Sequence, residues 1–205
     1  MSTGGIACIG WGSLLWDPRS LPMATPFAAD GPCLPIEFAR VARDGRVTLV
    51  IDSDRQTTPI ATFWTRLEVA SLDAGIEALG RRERIKPAKF GEWIGAEGVD
   101  GVSRGTASEA TRSVMRAFLR DQGLAGVVWT ALPSRTPAGA FARPSLEALL
   151  DHLRSLEGEA LRRAEEYIRR APSVVVTRNR ARFAAELGWT PLALPPNPGT
   201  PGQGD

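Results

Sequence analysis

Ile6-Ala7-Cys8-Ile9-Gly10-Trp11-Gly12-Ser13-Leu14-Leu15-Trp16-Asp17-Pro18 is an apolar run that ends abruptly in Gly-Trp-Gly-Ser. The run predicts a buried first strand, Ile6–Gly10, that breaks into a tight glycine turn. Glycine in such a turn tolerates positive φ and lets the backbone approach a ligand closely. Exposed N–H groups there can hold an anion. The residues allow two readings. Either the turn packs Trp11 and Trp16 on the core, or Gly10, Trp11, Gly12, Ser13 and Leu14 form one wall of a binding site.

Several known loops are excluded. A phosphate loop would need a Gly-Lys-Ser/Thr ending, and none follows. A dinucleotide fingerprint would need a third glycine. A nucleophile elbow needs glycine on both sides of the serine.

Outward from this loop, the chain of 205 residues is long enough for one ordinary domain with a sizeable core. Its hydrophobic fraction of 43% and six tryptophans suit a globular protein. A formal charge of +2 is too small to argue for a nucleic-acid partner. Cys8 and Cys33 form neither a disulfide framework nor a zinc spacing. Neither a membrane span nor a signal core is visible, so a soluble cytoplasmic protein is expected.

His152 is the single histidine, in the charged helical stretch Asp151-His152-Leu153-Arg154, where an exposed position is expected. Acid–base chemistry therefore falls to a carboxylate. No metal and no cofactor is expected.

Strands are predicted at Ile36–Ala42 and Val47–Ile51, joined through Asp44-Gly45 as a hairpin. Further β-rich runs are Ile60–Leu67, Gly126–Ala131 and a short Val174–Val176. Leu72–Arg84 has helical spacing. A second helix follows the capping-box form Thr106-Ala107-Ser108-Glu109 and stops at Gly123. Ser145–Arg170 is strongly helical, with Gly158 dividing it. Thr177 caps a last helix that ends at Gly188. Strands precede a mixture of helices and strands, which predicts an α+β fold. One domain over residues 1–190 is expected, its helical C-terminal part beginning near 145. A disordered Pro/Gly tail is expected over 191–205.

Trp11-Gly12-Ser13-Leu14-Leu15-Trp16 resembles the Tyr-Gly-Ser-Asn/Leu-Leu/Met-Trp signature of the γ-glutamylcyclotransferase-like superfamily. That signature also follows a first strand near the N-terminus. The resemblance implies a small mixed, barrel-like β-sheet with flanking helices. It implies release of 5-oxoproline from a γ-glutamyl amine, amino acid or peptide, as a lyase or transferase. The signature loop would bind the glutamyl end of this small-molecule substrate. It further implies a glutamate acid/base in a pattern like Leu-Asp-x-Arg-Glu, which Leu79-Gly80-Arg81-Arg82-Glu83 is similar to. Glu83 is thus the candidate and Glu77 the reserve. The family's signature tyrosine is replaced here by Trp11.

On a helix, Glu83 can face a pocket while Arg81, Arg82 and Arg84 face water. Arg40, Arg43 and Arg46 are expected as exposed arginines on the hairpin, although Arg40 could pair with a carboxylate. Residues 162–182 hold seven arginines against Glu165 and Glu166. A solvated pair of amphipathic helices is expected there, with no nucleic acid and no membrane. The alternative function is a non-catalytic small-molecule binding module on the same fold.

Overall fold

The computed structural model describes residues 4–52, 54 and 56–192. In chain order the strands are β1 (Ile6–Gly10), β2 (Cys33–Leu34), β3 (Ile36–Val41), β4 (Val47–Ile51), β5 (Ile60–Ala61), β6 (Phe63–Leu67), β7 (Ile94–Gly98), β8 (Ser103–Arg104) and β9 (Gly126–Thr130). The helices are α1 (Leu72–Arg82), α2 (Phe90–Trp93), α3 (Glu109–Asp121), α4 (Leu146–Arg154), α5 (Gly158–Arg170) and α6 (Arg178–Leu187).

All five residues of β1 are buried, so the strand needs cover on both faces. Successive side chains point to opposite faces. Ala7 and Ile9 therefore enter one core with Val127 and Trp129 of β9. Ile6 and Cys8 enter a second core with Val128 and with Ile76 and Leu79 of α1. The first core is completed by Met115 and Phe118 of α3, Leu149 and Leu153 of α4, Ala164 and Ile168 of α5, and Phe183 of α6.

β1 is an interior strand in the sheet order β6-β1-β9-β7-β8, next to the central β9. It runs parallel to β9 and antiparallel to β6, while β7 is antiparallel to both β9 and β8. The fold is α+β with a mixed sheet and flanking helices. The expected barrel-like closure is not found among the described strands. The sheet is open, with β6 and β8 as its edges, and β2–β5 and β3–β4 form separate two-stranded ladders. Hairpin β3–β4 meets the chain beyond β9 through a single bridge, Arg40 to Arg135, which is too short a pairing to continue the sheet.

The hairpin turn forms where Asp-Gly predicts it. Gly45 takes φ +86°, and the Ala42 N–H donates to the Arg46 carbonyl at 2.8 Å. Thr177 caps α6 as expected, Ser145 caps α4, and Gly188 ends α6 in the left-handed region. The cap of α3 is Ser108 and not Thr106: its hydroxyl accepts from the Thr111 N–H at 3.2 Å.

Two expectations fail, and one strand was not foreseen, for physical reasons. Ile60–Leu67 is divided at buried Thr62, whose hydroxyl turns to the Pro32 carbonyl at 2.7 Å. Val174–Val176 is a turn with only Val175 buried, held by its N–H on the Pro172 carbonyl. β7 went unpredicted because its sequence, Ile-Gly-Ala-Glu-Gly, is poor in strand formers. Gly95 is required there, since a Cβ would stand 2.1 Å from the Trp129 ring. Buried Glu97 pairs with Arg112 and Arg116 of α3.

The α5–α6 corner closes around Arg180, which is 4% exposed. Its guanidinium donates to the carbonyls of Ile168, Ala171, Pro172 and Val175. These include carbonyls that the end of α5 leaves without intrahelical partners. No described helix is long and apolar enough to cross a membrane. Of the expected tail, residues 193–205 lie outside the described residues.

Candidate active site

The loop after β1 folds into a single 3₁₀ turn, Ser13–Leu15. The Leu15 N–H donates to the Gly12 carbonyl at 3.0 Å, and the Asp17 N–H to the Ser13 carbonyl at 2.8 Å. Among the described residues, the amides of Ser13 and Leu14 donate to no backbone acceptor. Neither Gly10 nor Gly12 takes a positive φ. Glycine is needed for close approach instead. A Cβ on Gly12 would stand 2.7 Å from the Tyr167 hydroxyl, and one on Gly10 3.2 Å from the Phe27 ring.

The C-terminal end of α1 is the second wall. The Ile85 N–H donates back to the Gly80 carbonyl and the Arg84 N–H to the Arg81 carbonyl. This double closure is a Schellman motif, and it requires a left-handed residue just past the cap. That residue is Arg84, at φ +53°, where glycine is usual. Glu83 is the C-cap itself, and its side chain is 18% exposed.

Arg82 joins the two walls. It is 3% exposed. It donates to Glu83 Oε1 at 2.5 Å and to Ser13 Oγ at 3.3 Å. Its Nε also holds the Asp17 carbonyl at 3.1 Å. The expectation that all three arginines face water is therefore corrected. Arg81 does, paired with Glu77 one turn back. Arg82 turns inward, because the loop carbonyl and the Glu83 carboxylate satisfy a guanidinium that would otherwise be costly to bury. Glu77 is exposed on α1 and does not line the cavity at Ser13.

Ser13 and Glu83 line one cavity of about 590 Å³, together with Trp11, Gly12 and Leu14. Gly10 does not line it and packs behind the loop against Leu14. Trp11 is 3% exposed, and its indole N–H points to the Leu49 carbonyl at 3.4 Å. Tyr167, the only tyrosine in the chain, is the site residue that sequence reasoning missed. Its helical spacing with Ala164 and Ile168 marks a core stripe, and nothing local reveals the loop it meets. Its hydroxyl lies against Gly12 and accepts from the Leu49 N–H at 3.4 Å. Burial pushes the Tyr167 phenol up to about 12. A phenolic hydroxyl is thus present at the loop, delivered by α5 and not by position 11.

The remaining lining is cationic. Arg40 is half-buried, contrary to the exposed hairpin position expected, and donates to the Pro133 carbonyl at 2.5 Å. Burial, then the neighbouring Arg135 and Arg43, lower its pKa to about 10. Arg46 is also half-buried and lies 5.3 Å over the Tyr167 ring. Cys8 is fully buried, and its thiol is pushed up to about 12, by burial first and by Glu83 second. His152 is half-buried, with Nε2 2.7 Å from the Gly45 carbonyl; it braces the hairpin turn instead of facing water. No group of three or more His, Cys, Asp or Glu among the described residues is placed to hold a metal ion.

No family model, no curated protein and no solved structure matches the chain.

Proposed function

We propose that the chain is a γ-glutamylcyclotransferase-like enzyme, on a variant of that family's sheet, which cyclises a γ-glutamyl amine, amino acid or peptide to 5-oxoproline. One observation carries this reading: Ser13 and Glu83, far apart in sequence, line one cavity and are bridged by Arg82.

The chemistry asks for two things. The glutamyl end must be held in a folded conformation, which makes the attack intramolecular. The free amides of Ser13 and Leu14 and the Ser13 hydroxyl suit the substrate α-carboxylate. A base must then take a proton from the α-ammonium. Glu83 takes it, and the freed nitrogen lone pair forms a bond to the γ-carbonyl carbon. Glu83 returns the proton to the leaving nitrogen as its bond to that carbon breaks. The second proton on the attacking nitrogen follows, so the amine leaves as an ammonium ion and the charge balances. Such a positioned carboxylate contributes roughly 10²- to 10⁴-fold.

Glu83→Gln tests the assignment. With γ-glutamyl amines, amino acids and peptides as substrates, 5-oxoproline is followed by mass spectrometry. A folded variant that cyclises at the parent rate removes Glu83 from the mechanism.

The second reading, a binding module without turnover, is favoured by the short Arg82–Glu83 contact, which engages the carboxylate that would serve as base. Thermal stabilisation by γ-glutamyl compounds with no 5-oxoproline formed selects this reading over the first.

A further inference from the structure

The cavity carries far more positive charge than its single carboxylate can answer. Arg40 and Arg43 come from the β3–β4 hairpin, Arg135 from the segment after β9, and Arg84 and Lys86 from the end of α1. Among the described residues, none of these five has a carboxylate within 4.0 Å, while Glu83 already holds Arg82. Two further lining cations are neutralised, Arg46 by Asp44 and Lys89 by Glu92. The contrast with α5 and α6 is informative. There Arg162, Arg163, Arg169, Arg170 and Arg182 each sit on a glutamate. Among the described residues Arg66, Arg104, Arg120, Arg178 and Arg180 also lack a carboxylate partner, but they are spread over β6, β8, α3 and α6, whereas the five of the cavity line one concave surface.

This cluster is held in place by backbone. The Arg40–Arg135 bridge is closed by the Val41 N–H on the Arg135 carbonyl at 2.9 Å and the Arg135 N–H on the Ala39 carbonyl at 3.1 Å. Bridged residues present their side chains to the same face. Arg40 gives one nitrogen to the Pro133 carbonyl. Arg135 gives two, to the Val41 and Gly139 carbonyls. A guanidinium has five N–H donors, so each keeps several for a ligand. Like charges brought together at a partly buried site cost free energy until an anion arrives.

We propose that this wall binds a phosphoryl group, carried by the small molecule whose other end the Ser13 loop holds. A carboxylate brings one charge and two oxygens. A phosphoryl group brings a charge of about −1.5 to −2 and three strong acceptors, the better match to several guanidinium forks. The volume of about 590 Å³ is that of a small-molecule site. The proposal concerns binding alone and stands whether or not Glu83 performs a cyclisation.

The test uses the full chain with inorganic pyrophosphate and inorganic phosphate as probes, against chloride and acetate at matched ionic strength. Calorimetry and thermal melting give affinity and stabilisation. Pyrophosphate is expected to bind saturably and to raise Tm. Arg43→Gln/Lys86→Gln, at two exposed positions whose side chains make no hydrogen bond among the described residues, is expected to weaken it roughly tenfold or more with an unchanged fold. Arg162→Gln, remote on α5, is expected to leave it unchanged. Glu83→Gln removes the one negative charge of the cavity and is expected to bind pyrophosphate more tightly than the parent while losing cyclisation, so loss of cyclisation and loss of anion binding are read separately. Stabilisation no greater than chloride gives, or an affinity that survives the double substitution, overturns the proposal.

Discussion

Arg82 and Arg180 are both buried guanidiniums, yet they serve different ends. Every partner of Arg180 is a backbone carbonyl around the α5–α6 corner. Those bonds replace hydrogen bonds that the chain reversal removes, and the one donor they leave over, Nε, is buried away from any cavity. Burial lowers the Arg180 pKa, and no carboxylate lies within salt-bridge distance among the described residues. Arg82 has one backbone partner, Asp17, and two side-chain partners, Ser13 and Glu83, which line the cavity. A buried arginine on carbonyls closes a fold. A buried arginine on a hydroxyl and a carboxylate arranges a site.

Substitution can break this contrast. Arg180→Ala is expected to show the largest loss of stability, about 3 kcal/mol or more, because it strips a charged donor and strands several buried carbonyls. Urea unfolding followed by far-UV circular dichroism measures it. Arg82→Gln is expected to cost less stability, about 1–2 kcal/mol, since the loop carbonyl and the carboxylate can reach water. Its larger effect is expected on turnover of γ-glutamyl substrates, because Ser13 and Glu83 lose their common partner. If both variants lose stability alike and Arg82→Gln keeps parental turnover, the distinction between the two arginines fails.

Gly12→Ala is comparable in its cost to stability. Its Cβ would collide with the Tyr167 hydroxyl, at about 1–3 kcal/mol. Tyr167→Phe removes that oxygen, so the double variant is expected to recover most of the loss in a thermal-melt cycle. Recovery locates the loop's glycine requirement on α5.

The smallest effect is Arg84→Gly. It relieves a left-handed non-glycine residue and is expected to gain about 0.5–1 kcal/mol while weakening pyrophosphate binding. A gain in Tm together with a loss in affinity identifies Arg84 as charge kept at the expense of backbone comfort.

What could be read from the residues divides along the same line. β1, the Asp-Gly hairpin and the Thr177 cap were visible because their signals are local: an apolar run, a turn dipeptide, a hydroxyl before a helix. β7 was not, because Gly95 answers the Trp129 ring and Glu97 answers arginines on α3, both distant in sequence. In the candidate site, Ser13 and Glu83 are named through the resemblance at the loop, since a glycine turn and a charged helix end are by themselves ordinary. Arg82 could not be named, since its inward turn depends on the Asp17 carbonyl. Tyr167 and the Arg40–Arg135 pair depend on packing across most of the chain.

The parallel pairing of β1 with β9 also has a consequence in time. Residues 6–8 find their partners only at residues 126–128, so loop-closure entropy must be met before the central pair forms. The Ser13 loop leaves the ribosome early, yet its sheet neighbour, the Arg135 bridge and the Tyr167 hydroxyl all follow much later. A nascent chain that stops short of α5 has the Ser13 loop without the complete cavity. Any ligand that the cavity takes can therefore bind only late in folding, once the chain has been assembled through α5.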